Sequence, residues 1–257
     1  GMKTATDFAK ATYQMKTLLW FEPERCFVPS NLLKTNGETL KKEWLLANTL
    51  VNLGNADAVE WLENRIIQIM RDGGISMYRE DFNIEPLSYW NTGDGTDKKR
   101  KGITENKYIQ GHLQLWDRIR SEFPNATIDS CASGGNRNDL ESMRRAVPLH
   151  KTDYGYGDYA MQQGYATELS RWIPYYGTKA NGIGTTDNNV YNANRYQLRT
   201  AMASAMVLGY DTDAAIDWDI VRDITQEQKE LGELNYGDYY SLINWSRSES
   251  QWAAWEY

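Results

Sequence analysis

Cysteine and histidine are both scarce in this chain, with two of each among 257 residues. Cys26 and Cys131 are too few for a disulfide framework and form no CxxC metal site. His112 and His150 cannot make a His-rich metal centre. No apolar run approaches the roughly 18 residues needed to span a bilayer, so no membrane partner is expected. Excess positive charge is also missing. The formal net charge of -7 argues against non-specific binding to nucleic acid. The basic run Lys98-Lys99-Arg100-Lys101 follows Gly93, Asp94, Gly95 and Asp97 and reads as a solvated loop. A GxGxxG phosphate turn is absent; the nearest candidate, Ser133-Gly134-Gly135-Asn136-Arg137, lacks the spacing. No GxSxG elbow accompanies either histidine, so a serine hydrolase is not expected. No cofactor is called for. Gly1 ahead of Met2 points to a native start elsewhere and leaves localisation open.

What is present is ordinary globular material, 41% hydrophobic and 25% charged, with 10 Trp and 17 Tyr. Such aromatic richness suits sugar-binding clefts, although core packing accounts for much of it. Residues 3–16 read as a helix, and Thr17–Phe21 as a short apolar strand ended by Glu22-Pro23-Glu24. Val59, Leu62, Ile66, Ile67, Ile69 and Met70 recur at helical spacing over 56–72, and Gly73-Gly74 stops that helix. Ile75–Tyr78 reads as a strand ending at Asp81. Residues 104–122 form the next helix, and Ala126–Ile128 a strand running into Asp129-Ser130-Cys131. A short helix at 139–145 follows, and Val147–Leu149 leads to Lys151-Thr152-Asp153. Helices are expected again at 193–208 and 225–235. Strand, polar strand end and helix alternate, which argues for βα units and a parallel sheet.

In such a sheet the functional groups sit at the C-terminal strand ends. Those ends carry Glu22 and Glu24, Asp81 and Asn83, Asp129 and Cys131, and Asp153. Acids dominate. Two carboxylates on neighbouring strand ends are the minimum equipment for glycoside hydrolysis, one ionised and the other held protonated. Arg79 is expected to keep Asp81 ionised by lowering its pKa. The alternative is structural, with Asp81 serving as a helix cap or as a partner of Arg79.

Four ordered blocks add to this reading: LLWFEPER at 18–25, YREDFNIEPLSYW at 78–90, DSCASGGNRNDLESMRRAVPLHKTDY at 129–154 and QQGYATELSRWIPYYGT at 162–178. Together they resemble the catalytic barrel of glycoside hydrolase family 36, the melibiase-type α-galactosidases, in the clan shared with family 27. The resemblance implies a retaining hydrolase on a (β/α)8 barrel acting on terminal α-galactosides of oligosaccharides. It implies Asp81, in Arg79-Glu80-Asp81-Phe82-Asn83, as the nucleophile, with Arg79 in place of the family's usual Lys. It implies Asp153 as the acid/base. The family's C-x-G-G turn contacts the sugar, and Cys131, Gly134 and Gly135 lie in the corresponding stretch; Trp20 matches an aromatic before E-P-E. Asn83 then hydrogen-bonds a sugar hydroxyl or buttresses its loop. Cys131 is either a sugar contact or a buried small apolar residue. Gly134-Gly135 either lets backbone approach the ligand or turns the chain. Trp20 is a pocket wall, with a core tryptophan as its rival. Glu22 and Glu24 read as scaffolding.

Departures from the family are also visible. The second Asp of the family's S-D-x-x-D is displaced to Asp158, which is given no role. Counted against the family, residue 17 already begins the third strand, and the paired acids of a first strand are missing. The chain is therefore expected to hold about strands three to eight of an incomplete barrel in residues 1–238, with the start of a C-terminal β-domain in 239–257. Exposed strand edges would then allow pairing with another copy. Alternatives on the same scaffold are an α-N-acetylgalactosaminidase, a galactosyl transferase, or a non-catalytic carbohydrate-binding fragment.

Overall fold

Alternating helical and extended segments pack, in the computed structural model, into two compact units. The structure describes residues 1–27, 33–35, 37–153, 158–179, 195–209, 216–246, 248 and 250–257. The first unit comprises Gly1–Ser133 and Asp139–Ala146, and the second Gly134–Asn138 and Val147–Tyr257.

The first unit is built on a three-stranded parallel sheet. Helix α1 (Met2–Tyr13) leads into β1 (Leu18–Phe21). Helix α2 (Ala56–Gly73) carries the chain to β2 (Met77–Glu80). Helices α3 (Leu87–Asp94) and α4 (Ile103–Glu122) carry it to β3 (Thr127–Ser130). The order is β1-β2-β3, so each α-helical crossover returns the chain parallel to the strand before it. The α2 stripe read from the sequence is the buried one: Val59, Leu62, Ile66, Ile67 and Met70 are all in the core, while Ile69 is half-buried. It packs with Tyr78 of β2 and with Tyr108, Leu115 and Ile119 of α4. Two short antiparallel hairpins, Lys34–Thr35 with Glu38–Thr39 and Leu45–Leu46 with Leu50–Val51, fill the β1–α2 connection; periodicity did not suggest them. At two residues each, they are too short to show alternation.

In the second unit, α5 (Tyr159–Glu168), β4 (Gly177–Lys179), α6 (Arg195–Thr200), β5 (Ala205–Val207) and α7 (Trp218–Leu231) follow one another. β4 and β5 pair in parallel, and the α6–α7 contact buries Leu198, Ala201, Val221 and Ile224. Tyr240–Ser241 pairs antiparallel with Trp255–Glu256.

Three sequence expectations need correction here. The helix expected over 193–208 is helical only at Arg195–Thr200 and then becomes a strand; 193 and 194 lie outside the described residues. The helix at 225–235 starts earlier, at Trp218, where Asp217 caps it by accepting from Asp219 N and Ile220 N. The segment Val147–Leu149 forms no strand, although Gly177 N donates to Pro148 O at 2.9 Å.

Candidate active site

The strand β2 sorts its side chains by alternation. Tyr78 and Glu80 are buried on one face, and Arg79 and Asp81 lie on the other, less buried face. Register then assembles rows across the sheet. Trp20, Arg79 and Asp129 are in-register partners on β1, β2 and β3. Asp81 N continues the ladder by donating to Phe21 O, as Cys131 N does to Glu80 O, both at 2.9 Å. Asp81 and Cys131 thus stand just beyond the C-terminal ends of neighbouring strands.

Several donors converge on Asp81. Phe82 N and Ser133 N donate to its Oδ1 at 2.8 and 3.0 Å. Burial pushes the carboxyl up, but hydrogen bonds outweigh it. The Asn83 side chain, the Ser133 and Phe82 amides and the Cys131 thiol lower its pKa from 3.8 to about 2. Asn83 is itself oriented, because Ser133 Oγ donates to its Oδ1 at 2.9 Å and leaves its amide N–H groups to donate. Glu22 and Arg25 hold the Asn83 backbone: Asn83 N donates to Glu22 Oε1 at 3.0 Å, and Arg25 Nη1 donates to Asn83 O at 2.9 Å. Glu24 is fully buried and accepts from Tyr108 at 2.6 Å.

Arg79 behaves differently from its sequence expectation. Its guanidinium forms an ion pair with the buried Asp129, its cross-strand partner. Burial lowers its pKa, but Asp129 more than offsets this, and Asp81 attracts it more weakly. Asp81 is therefore held ionised chiefly by hydrogen bonds. Trp20 is 48% exposed, so it is not a core tryptophan. Cys131 is buried, yet its thiol touches the Asp81 carboxylate. Ser133 escaped sequence reasoning, although it serves Asp81, Asn83 and the Phe82 carbonyl together. Ala132 and Ser133 adopt positive φ values of 62° and 50°, which place that amide, and no residue-type signal marks such a turn.

In the second unit, Gly134 and Gly135 have φ of 78° and 98°. A Cβ on Gly134 would lie 2.8 Å from Asp153 N and 2.9 Å from its carboxyl carbon; one on Gly135 would lie 2.2 Å from Lys151 O. Only glycine admits this approach of backbone to the Asp153 segment. The Asp153 side chain is 62% exposed, with His150 Nε2 3.8 Å from its Oδ1. Lys151 is buried, donates to Thr178 Oγ1 at 2.8 Å and faces the Tyr165 and Tyr176 rings. Burial lowers its pKa to about 7. Sequence reasoning gave it no role. Asp158 caps α5 by accepting from Met161 N at 3.0 Å. The segment 154–157, where the family pattern breaks, lies outside the described residues.

The Melibiase family profile matches residues 3–232. The chain belongs to the Melibiase family. The α-galactosidase Mel36A of Lactobacillus acidophilus is 23% identical over 254 residues, covering 94% of this chain and 34% of that protein. The α-galactosidase 1 of Pediococcus pentosaceus is 21% identical, with the same coverage of 94% and 34%. The chain thus spans about a third of the length of these relatives. Among solved structures, a variant of the GH36 α-galactosidase AgaA from Geobacillus stearothermophilus, in complex with stachyose, superposes with a TM-score of 0.78 at 17% identity. That match covers 99% of this chain and 36% of the other. The α-galactosidase from Lactobacillus brevis gives 0.69 at 20% identity, over 95% and 34%. This Melibiase chain accordingly shares the fold of about a third of these GH36 α-galactosidases, which are of TIM-barrel type.

One group among the described residues has the composition of a metal site. Ligand atoms of Glu24, Glu80 and His112 lie within 4.8 Å of one another, all buried. Both oxygens of Glu80 are already hydrogen-bonded. His112 Nε2 hydrogen-bonds Glu80 Oε1 at 2.6 Å, Trp116 Nε1 donates to Glu80 Oε2 at 3.0 Å, and Tyr78 donates to the same oxygen. This is a buried hydrogen-bond network that fixes the back of β2 against α4.

Proposed function

We propose that the chain forms part of a (β/α)8 α-galactosidase barrel over residues 1–238, continuing into a β-domain over 239–257, and that it serves retaining hydrolysis of terminal α-galactosides. The observation that carries this reading is Asp81, a carboxylate at a parallel-strand end that hydrogen bonds hold ionised well below neutral pH. Such a group is suited to attack an anomeric carbon and form a glycosyl-enzyme. Asp153 is assigned as the acid/base: it protonates the departing oxygen and then deprotonates the attacking water. The other assignments follow from position. Arg79 and Asn83 contact sugar hydroxyls near the nucleophile, Trp20 offers a ring wall, and Cys131, Gly134 and Gly135 belong to the turn beside the sugar. The structural neighbours captured with stachyose and with raffinose support an oligosaccharide substrate, and no metal or organic cofactor is required.

The test is hydrolysis of an aryl α-galactoside by the chain and its variants, with circular dichroism on each. Asp81→Asn is expected to lose turnover while keeping its spectrum; equal rates would remove Asp81 from the nucleophile role. Asp153→Ala is expected to slow substrates with poor leaving groups by about 10²–10⁴-fold and aryl substrates with good leaving groups far less. Equal losses on both would show that Asp153 is not the general acid.

A further inference from the structure

The segment Glu22-Pro23-Glu24-Arg25 follows directly on β1. Past the end of that strand, Asp81 N still donates to Phe21 O and extends the ladder to β2. In this register the next bond would run from the residue 23 amide to Asp81 O. Pro23 has no N–H, so the ladder stops there, beside Asp81 and Asn83.

Two side chains take over where the ladder ends. Glu22 Oε1 accepts from Asn83 N at 3.0 Å, and Arg25 Nη1 donates to Asn83 O at 2.9 Å. The same two side chains meet each other, with Arg25 Nη2 donating to Glu22 Oε2 at 2.6 Å. These bonds close a ring on Asn83. Its N–H and its C=O are both held, and the two holders are locked together. A guanidinium suits this task because its planar fork presents two donors in fixed directions. The Arg25 and Glu22 side chains are only 21% and 9% exposed, so the pair is shielded from the solvent screening that weakens surface ion pairs.

The clamp is anchored in its turn. Val51 N donates to Glu24 O and Cys26 N to Thr49 O, both at 2.8 Å, which fixes the backbone on either side of Arg25 to the hairpin of Leu45–Leu46 with Leu50–Val51. Glu24 adds its bond from Tyr108 of α4. What the clamp holds bears on the site, because the Asn83 side chain hydrogen-bonds the Asp81 carboxylate. Such a bond weakens steeply once its direction is lost. We propose that Glu22 and Arg25 are positioning residues for the nucleophile, clamping the Asn83 peptide so that its side-chain amide stays directed at Asp81. The proposal takes its catalytic meaning from the reading of Asp81 as nucleophile.

The test follows the Asp81 titration by 13C NMR of its carboxyl carbon in Arg25→Ala and Glu22→Ala, each alone and combined with Asn83→Ala, with circular dichroism on every variant. The two single changes remove opposite charges. If Arg25 and Glu22 acted on Asp81 by charge alone, losing the cation would raise its titration point and losing the anion would lower it. The clamp requires both changes to raise it, by about half a pH unit or more. In the Asn83→Ala background that shared rise is expected to vanish, because the amide being positioned is gone. Opposite signs, no movement in either single variant, or a rise of the same size without the Asn83 amide would each overturn the proposal. Should an alanine variant lose its spectrum, Arg25→Lys, which keeps the charge and loses the fork, or Glu22→Gln, which keeps the shape and loses the charge, takes its place and is expected to raise the titration point as well. The titration needs no turnover. Failure of Asp81 in the hydrolysis test therefore leaves the clamp standing, and failure of the clamp leaves Asp81 as the nucleophile.

Discussion

Each donor that reaches Asp81 comes from a residue with a second task. Asn83 is clamped through its backbone by Glu22 and Arg25, and Ser133 also holds Asn83 and the Phe82 carbonyl. The low pKa is therefore a property of the turn, and Asn83 is its largest favourable source. Because the folded value is depressed, Asp81 contributes stability above its ordinary 3.8, and that contribution is lost as pH falls toward 2. Asn83→Ala is expected to move the Asp81 carboxyl titration upward from about 2 toward 3.8, read by 13C NMR of the carboxyl carbon. An unmoved inflection would mean that the backbone donors alone suffice. Asp81 and Asn83 were both marked in the sequence as residues at the end of a strand, but the hydrogen bond by which the Asn83 side chain lowers the Asp81 pKa was not legible there, because β2 ends at Glu80 and the turn beyond it has no period to read. Nor was the Arg79–Asp129 ion pair, since its partners stand 50 residues apart and meet only through strand register.

Elements were legible where periodicity and capping agree. Helix α2 shows an apolar stripe at helical spacing, begins at a capping asparagine and ends with Gly74 in the left-handed region. Asn55 Oδ1 accepts from Asp57 N and Ala58 N at 3.0 and 3.2 Å. Asn55→Ala should therefore lower the unfolding free energy by about 1 kcal/mol, measured by urea denaturation with the m-value unchanged. No change in midpoint would show that water replaces the cap without loss. Strand β5 was misread because Ala201–Val207 is rich in helix-forming Ala and Met. Tertiary pairing overrode that propensity. Tyr176 N donates to Ser204 Oγ at 2.7 Å, Ser204 Oγ donates back to Tyr176 O at 2.9 Å, and Ala205 N donates to Tyr176 O at 3.2 Å. These bonds start the β4–β5 ladder, and no local pattern announces a partner strand 28 residues away.

At the scale of the whole chain, the parallel sheet class followed from the alternation of elements. The strand complement did not, because strands of three or four residues carry too few positions for a period to register. Sheet edges carry the remaining consequence. Among the described residues, β1 pairs only with β2, so its other side presents backbone donors and acceptors. Leu18 and Trp20 on this strand are 37% and 48% exposed. An edge strand with exposed apolar side chains is a template for pairing with another chain, and natural edges are blunted by lysine. The chain is therefore expected to self-associate through β1, so that its apparent mass by size exclusion with light scattering rises with concentration. Leu18→Lys places a charge on that edge without touching Arg79 or Asp81. It should shift the mass toward that of a single chain while the circular dichroism spectrum stays the same. If wild type and variant associate equally, the contact lies elsewhere on the surface and β1 is already covered.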